Sequence, residues 1–327
     1  MEGQPATSPR PWLTWAGRAV SAVAILVVLW ACVTQWGAVM HGNPAYAILL
    51  AITVVVAAWA LWHSFTRRKR RSGWRLVLRV IVLVLAIAWV GLMALLRPFT
   101  AQETAVAAME SDGSVTVSES AAQITMTPTG DASPLGVFFQ PGAKVEARAY
   151  AAVLRPLAES GYPVVIPKQP LGIAFLSLGA FDKARPSFPG IDMWVVGGHS
   201  LGGTVAAMEA DSSGSGSAGG GSGAPAVGLL FFASYPAGDI SESLTASVES
   251  ISGSQDGLAM PAKIDASRVD LPAASNFTQI EGAVHAQFGD YGPQPGDGVP
   301  TISDDDARNQ ISEAALAYLE SLVPGLP

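Results

Sequence analysis

Three apolar runs fill most of the first third of the chain, at residues 19–40, 45–65 and 76–96. Each matches the roughly 20 residues that a helix needs to cross the hydrocarbon core of a bilayer. In hydrocarbon the backbone must satisfy its own polar groups, which confines such runs to helices. The first two contain no charged residue, and Arg79 lies near the start of the third, from where it can snorkel to the headgroups. The first run is not read as a cleaved signal peptide, because it exceeds the usual apolar length and two more runs follow.

Charge orients these runs. The basic stretch Arg67-Arg68-Lys69-Arg70-Arg71, with Arg75, lies between the second and third. Short basic loops stay in the cytoplasm. The loop His41-Gly42-Asn43-Pro44 has no Lys or Arg, and the N-terminal tail carries Arg10 and Arg18. The expected arrangement is a cytoplasmic tail over 1–18, three spans within 19–96, a spacer over 97–112 and an extracytoplasmic domain over 113–327. Read between two spans, the basic stretch is a topogenic signal rather than a nucleic-acid patch.

Composition narrows the chemistry of the C-terminal domain. The only cysteine, Cys32, lies in the first apolar run, so this domain has no disulfide, thiolate cluster or cysteine nucleophile. The net charge of −7 includes the basic membrane part, so the domain itself is distinctly acidic. That argues against nucleic acid as a partner. No metal-ligand cluster and no phosphate-binding glycine loop is legible, and no cofactor is expected.

Along 113–327, strand and helix signals alternate. Strands are expected near 115–117, 123–126, 136–139, 164–166, 193–196, 227–232, 246–251 and 277–280. Helices are expected over 145–157, after residue 200 and over 307–322, the last capped by Ser303 and opened by Asp304-Asp305-Asp306. Short, near-continuously apolar strands alternating with helices predict an α/β fold, a mostly parallel sheet covered on both faces. Residues 212–223, almost all Gly and Ser, have no means of forming a core and read as a disordered surface loop, or less readily as a flexible lid.

The apolar stretch 193–196 runs into Gly198-His199-Ser200-Leu201-Gly202, followed by small residues that can start a helix. A strand, Gly-x-Ser-x-Gly and a helix form the pattern of a nucleophile elbow, a strained turn that presents a serine. Gly198 and Gly202 remove side chains that would collide across that turn. A serine hydroxyl needs a base. The domain has two histidines, and His199 sits inside the elbow, so His285 is the candidate base. Asp256, in the turn after strand 246–251, is the candidate to orient it. Asp239 is the fallback, and Asp265, Asp270 and Glu281 fit less well. The oxyanion of an acyl-transfer intermediate needs fixed donors. The candidates are the N–H of Leu201 and, from the turn Gln140-Pro141-Gly142-Ala143-Lys144, the N–H of Ala143.

With strand-Gln140-Pro141-Gly142, Ala149-Tyr150, residues 157–162, the elbow, Asp256 and His285 in this order, residues 113–325 resemble the α/β-hydrolase superfamily, in its compact branch of dienelactone hydrolases and carboxylesterases. The resemblance implies an α/β-hydrolase fold and acyl chemistry on Ser200. Two features depart from the pattern. Pro141-Gly142 stands where His-Gly is usual, and the three-helix anchor is not a general family feature. No large cap domain is visible, only the segments 167–191 and 286–302.

The reading that follows is a membrane-anchored serine hydrolase acting on a small-molecule or lipid ester. Acyl transfer to a cell-envelope acceptor, and a non-catalytic binding domain on a hydrolase fold, are the alternatives. The topology has a direct test. In a Cys32→Ala background, Gly130→Cys is expected to react with a membrane-impermeant maleimide in intact cells, whereas protection of that cysteine would reverse the orientation.

Overall fold

A computed structural model describes residues 11–66, 73–214 and 224–323. Residues 1–10, the basic stretch 67–71 and residues 215–223 of the Gly/Ser run lie outside the described residues.

The N-terminal part forms helices α1 (Pro11–Thr34), α2 (Trp36–His41), α3 (Pro44–Thr66) and α4 (Gly73–Leu95). Three stretches, Trp12–Thr34, Pro44–Thr66 and Leu76–Leu95, are long and apolar enough to cross a membrane. The first differs from the expected 19–40 at both ends. It takes in residues 12–18 of the expected tail, and it stops at Gln35, whose backbone leaves the helical region (φ −136°, ψ 37°). The side chain of Gln35 accepts the Thr100 N–H at 2.8 Å. A polar residue with an external partner thus ends the helix, and hydropathy alone ran through it into α2.

Polar contacts tie the helices together. Arg18 donates to Ser64 Oγ at 3.0 Å, Trp89 to Thr53 at 2.9 Å, and Tyr46 to the Met93 carbonyl at 2.9 Å. Asn43 caps α3 by accepting the Ala45 N–H at 3.0 Å.

The stretch expected as a spacer carries a short helix, α5 (Glu103–Ala107), whose Ala105 is fully buried. Beyond it follow β1 (Val115–Glu119), β2 (Gln123–Pro128), β3 (Leu135–Gln140), α6 (Ala151–Glu159), β4 (Val164–Pro167), α7 (Ala180–Ala184), β5 (Met193–His199), α8 (Leu201–Gly214), β6 (Ala226–Phe232), β7 (Ser247–Gly253), α9 (Pro261–Ala266), β8 (Asn276–Ile280) and α10 (Asp304–Leu322). The strands make one sheet in the order β1-β2-β4-β3-β5-β6-β7-β8. Strands β3 to β8 run parallel, and β2 is antiparallel to both β1 and β4. The chain therefore has the α/β-hydrolase fold, preceded by three apolar helices.

Successive side chains of the strands split between two cores, as the pleat requires. Val137, Phe139, Val195, Leu230 and Phe232 meet α6 and α10 through Leu154, Leu157, Ile311 and Leu319. Their neighbours Phe138, Val196, Leu229 and Phe231 meet α8 through Ala206, Ala207 and Ala210, with Phe181 of α7. The helix expected over 145–157 starts later. Residues 145–146 are drawn into contact with Phe99, residues 147–150 form a 3-10 turn, and only then does α6 begin. Ser303 caps α10, accepting the Asp306 N–H at 3.0 Å.

Candidate active site

The parallel register brings the C-terminal ends of the strands to one edge, where open α/β sheets bind ligands. Gln140 pairs with Gly198, Gly198 with Phe231, Phe232 with Ile251, and Gly253 with Ile280. The turn after β3, Ser200 after β5, Asp256 after β7 and His285 after β8 all leave this edge.

Ser200 occupies a left-handed conformation (φ 52°) between β5 and α8. Its N–H donates to the Phe232 carbonyl at 3.0 Å, and its carbonyl accepts from Gly203 N at 3.0 Å and Ser234 Oγ at 2.6 Å. A non-glycine residue holds this conformation only where its surroundings impose it. The flanking glycines are sterically required. A Cβ on Gly198 would lie 2.5 Å from the Gly202 carbonyl carbon, and one on Gly202 would strike the carbonyl oxygens of Gln140 and Pro141. Elbow and turn are in direct contact.

The carboxylate of Asp256 is buried. Its Oδ1 accepts the N–H groups of Leu258 and Ala259, both at 2.7 Å, and its Oδ2 accepts the Nδ1–H of His285 at 2.8 Å. This leaves Nε2 as the ring's acceptor. The other acids considered lie elsewhere. Asp239 is exposed and bonds Ser241, Asp265 pairs with Arg268, and Glu281 is exposed.

In the turn, Pro141 has no N–H. The N–H of Gly142 donates to the Tyr150 hydroxyl at 2.8 Å, and that of Lys144 to the Gly172 carbonyl at 2.6 Å. Among the described residues, none accepts a hydrogen bond from the Ala143 N–H. The Leu201 N–H opens α8, where no preceding turn supplies a helical acceptor.

Three further polar arrangements, whose roles were not read from the sequence, hold this site. Tyr150 accepts from the Gly142 N–H, and its hydroxyl is hydrogen-bonded to Nδ1 of His199, both at 2.8 Å. The His199 ring lies 4.4 Å from that of His285, and burial holds its pKa well below the usual value, so it stays neutral. Asp297 accepts from the N–H groups of Gly257 (3.1 Å), His285 (3.1 Å), Ala286 (2.8 Å) and Gly298 (2.7 Å). It therefore ties the loop carrying Asp256 to the loop carrying His285. Third, Gln140 donates to Glu209 and accepts from Gln169, both at 2.8 Å, which forms a buried polar cluster under the turn. Among the described residues, no group of three His, Cys, Asp or Glu is placed to hold a metal ion.

A family model described as "Alpha/beta hydrolase family" matches residues 136–309, just over half of the chain. Among solved structures, the chain is similar to a dienelactone hydrolase-like promiscuous phosphotriesterase, P91, from metagenomic libraries (14% identity, 64% of this chain and 99% of that one, TM-score 0.42). It is similar to a thermophilic esterase, Est2, of Thermogutta terrifontis (15% identity, 66% and 96%, TM-score 0.46). A third is a putative dienelactone hydrolase of Klebsiella pneumoniae (15% identity, 60% and 91%, TM-score 0.44). No curated protein matches the chain.

Glu209 generates a pH signature. Burial raises its pKa from 4.5 to about 7, against the lowering effect of the bond from Gln140. The folded state holds this proton more tightly than the unfolded chain does. The group thus contributes stability that is full below pH 4.5 and is lost as the pH rises through about 7. The loss is on the order of 3 kcal/mol. The thermal midpoint is expected to fall across this window, and Glu209→Gln is expected to flatten that part of the curve, as read by calorimetry at stepped pH.

Proposed function

Because the chain belongs to the alpha/beta hydrolase family, we propose that it is a membrane-anchored serine hydrolase that cleaves carboxylic esters through an acyl-enzyme on Ser200. The observation that carries this reading is the 2.8 Å contact of Asp256 Oδ2 with His285 Nδ1, at the sheet edge that also carries the strained Ser200.

In this reading Ser200 Oγ attacks the ester carbonyl while His285 Nε2 takes its proton. Asp256 stabilises the imidazolium and keeps the ring in the productive tautomer. The Leu201 and Ala143 N–H groups receive the developing oxyanion. The protonated His285 then gives its proton to the leaving alcohol. Water, deprotonated by the same nitrogen, attacks the acyl-enzyme and releases the carboxylic acid, restoring Ser200. The neutral His199 beside His285 adds no positive charge to oppose the imidazolium. The basic residues flanking the apolar helices support a domain that faces away from the cytoplasm.

Fluorophosphonate labelling of the full chain in detergent tests the proposal. Wild type is expected to label, and Ser200→Ala and His285→Ala to lose both labelling and esterase turnover. Asp256→Asn is expected to lower turnover by roughly four orders of magnitude. Retained turnover in Ser200→Ala would refute the reading.

A further inference from the structure

The turn that carries Ala143 is held from the membrane side. Lys144, the next residue, is left-handed (φ 62°). Its carbonyl accepts the Phe99 N–H at 2.7 Å, and its ammonium donates to the carbonyl of Leu95, the last residue of α4, at 3.0 Å. A cation is favoured at a helix C-terminus. Val145 then bridges to Phe99 in parallel, and the Glu146 N–H donates to the Phe99 carbonyl at 2.9 Å.

The carboxylate of Glu146 is buried in the junction. It accepts from Thr100 Oγ1 at 2.7 Å and from Ala101 N at 2.9 Å. Thr100 Oγ1 in turn accepts the N–H of Ala38 in α2 at 3.1 Å, and its N–H is the one that Gln35 accepts. Helix α2 comes close enough only because residue 37 is glycine, since a Cβ there would strike Thr100 Oγ1. A second support lies on the other side. Asn43 donates to the Lys168 carbonyl at 3.0 Å, and the adjacent Gln169 donates to the Pro141 carbonyl at 3.1 Å. Leu171 and Ile173 pack on the apolar cluster of Val39, Tyr46, Leu50 and Met93 in the anchor.

We propose that the membrane anchor is a positioning element of the active site. Through Thr100–Glu146 and Leu95–Lys144 it sets the turn 141–144, and so the aim of the Ala143 N–H as an oxyanion donor. The inference rests on the serine hydrolase reading above. The left-handed Lys144 needs surroundings that impose its conformation; α4 supplies the partner of its ammonium at Leu95, and Phe99, just beyond α4, supplies that of its carbonyl. A donor displaced by about 1 Å costs on the order of 100-fold in rate.

The test uses the full chain in phospholipid nanodiscs with a short-chain p-nitrophenyl ester. Thr100→Val keeps the shape of the side chain but removes the hydroxyl that links Ala38 to Glu146, and Thr100→Ser restores it. Thr100→Val and Lys144→Met are each expected to lower kcat by about 10- to 100-fold with KM changed less than twofold, and Thr100→Ser to recover wild-type kcat. A purely structural contact would shift the thermal midpoint without this split. If Thr100→Val does not fold, Lys144→Met, at a partly exposed position, gives the same reading. Unchanged kcat in the variants, with turnover still abolished in Ser200→Ala, would reduce the anchor to a tether. Turnover surviving in Ser200→Ala would instead overturn the serine reading itself.

Discussion

The contact of the elbow with the turn after β3 is the constraint on which the rest of the site depends. Gly202 lies against the carbonyls of Gln140 and Pro141, and Gly198 against Gly202. Any side chain at either position would push α8 away from the sheet edge. The contact exists because β3 and β5 are neighbours in register, Gln140 opposite Gly198. One sheet pairing therefore brings together the serine turn and the turn carrying the Ala143 N–H.

A second layer of polar bonds converts proximity into fixed geometry. Tyr150 links the Gly142 N–H to His199, and His199 lies against His285. Asp297 gathers four N–H groups from the loops of Asp256 and His285. Buried polar groups are costly unless satisfied, and here the bonds they do make link the β3 turn to the elbow and the Asp256 loop to the His285 loop. The price is Glu209, which burial makes reluctant to ionise under the same turn.

Strands β3 to β6 and the elbow were legible because each of these strands is a near-continuous, buried apolar run, whereas β7 and β8 mix Ser, Glu, Asn, Thr and Gln with their apolar residues. Asp256 and His285 were legible from their place after strands β7 and β8. Helices α5, α7 and α9 were not, since five or six residues carry no helical period. Asp297 was hidden in a Pro- and Gly-rich loop, where an aspartate looks like any turn residue. The docking of residues 97–101 was hidden for a different reason. Its partners, Gln35, Lys144 and Glu146, are far away in sequence, and local composition cannot report pairing at that range.

Among the described residues, four non-glycine residues have left-handed backbones: Lys144, Leu171, Ser200 and Ala233. Each lies at or beside the C-terminal edge of the sheet, and strain of this kind persists only where surrounding structure over-determines it. They fall into two pairs with different supports. Ser200 and Ala233 are held by the sheet, their N–H groups donating to Phe232 and Ile251 at 3.0 and 2.8 Å. Lys144 and Leu171 are joined through Gly172, which accepts from Lys144 at 2.6 Å, and both rest on the apolar helices, one at Leu95 and the other in their apolar cluster. The sheet therefore supports the Ser200 side of the site, and the apolar helices contact the turn opposite it. A domain cut away at residue 113 would keep the first support and lose the second.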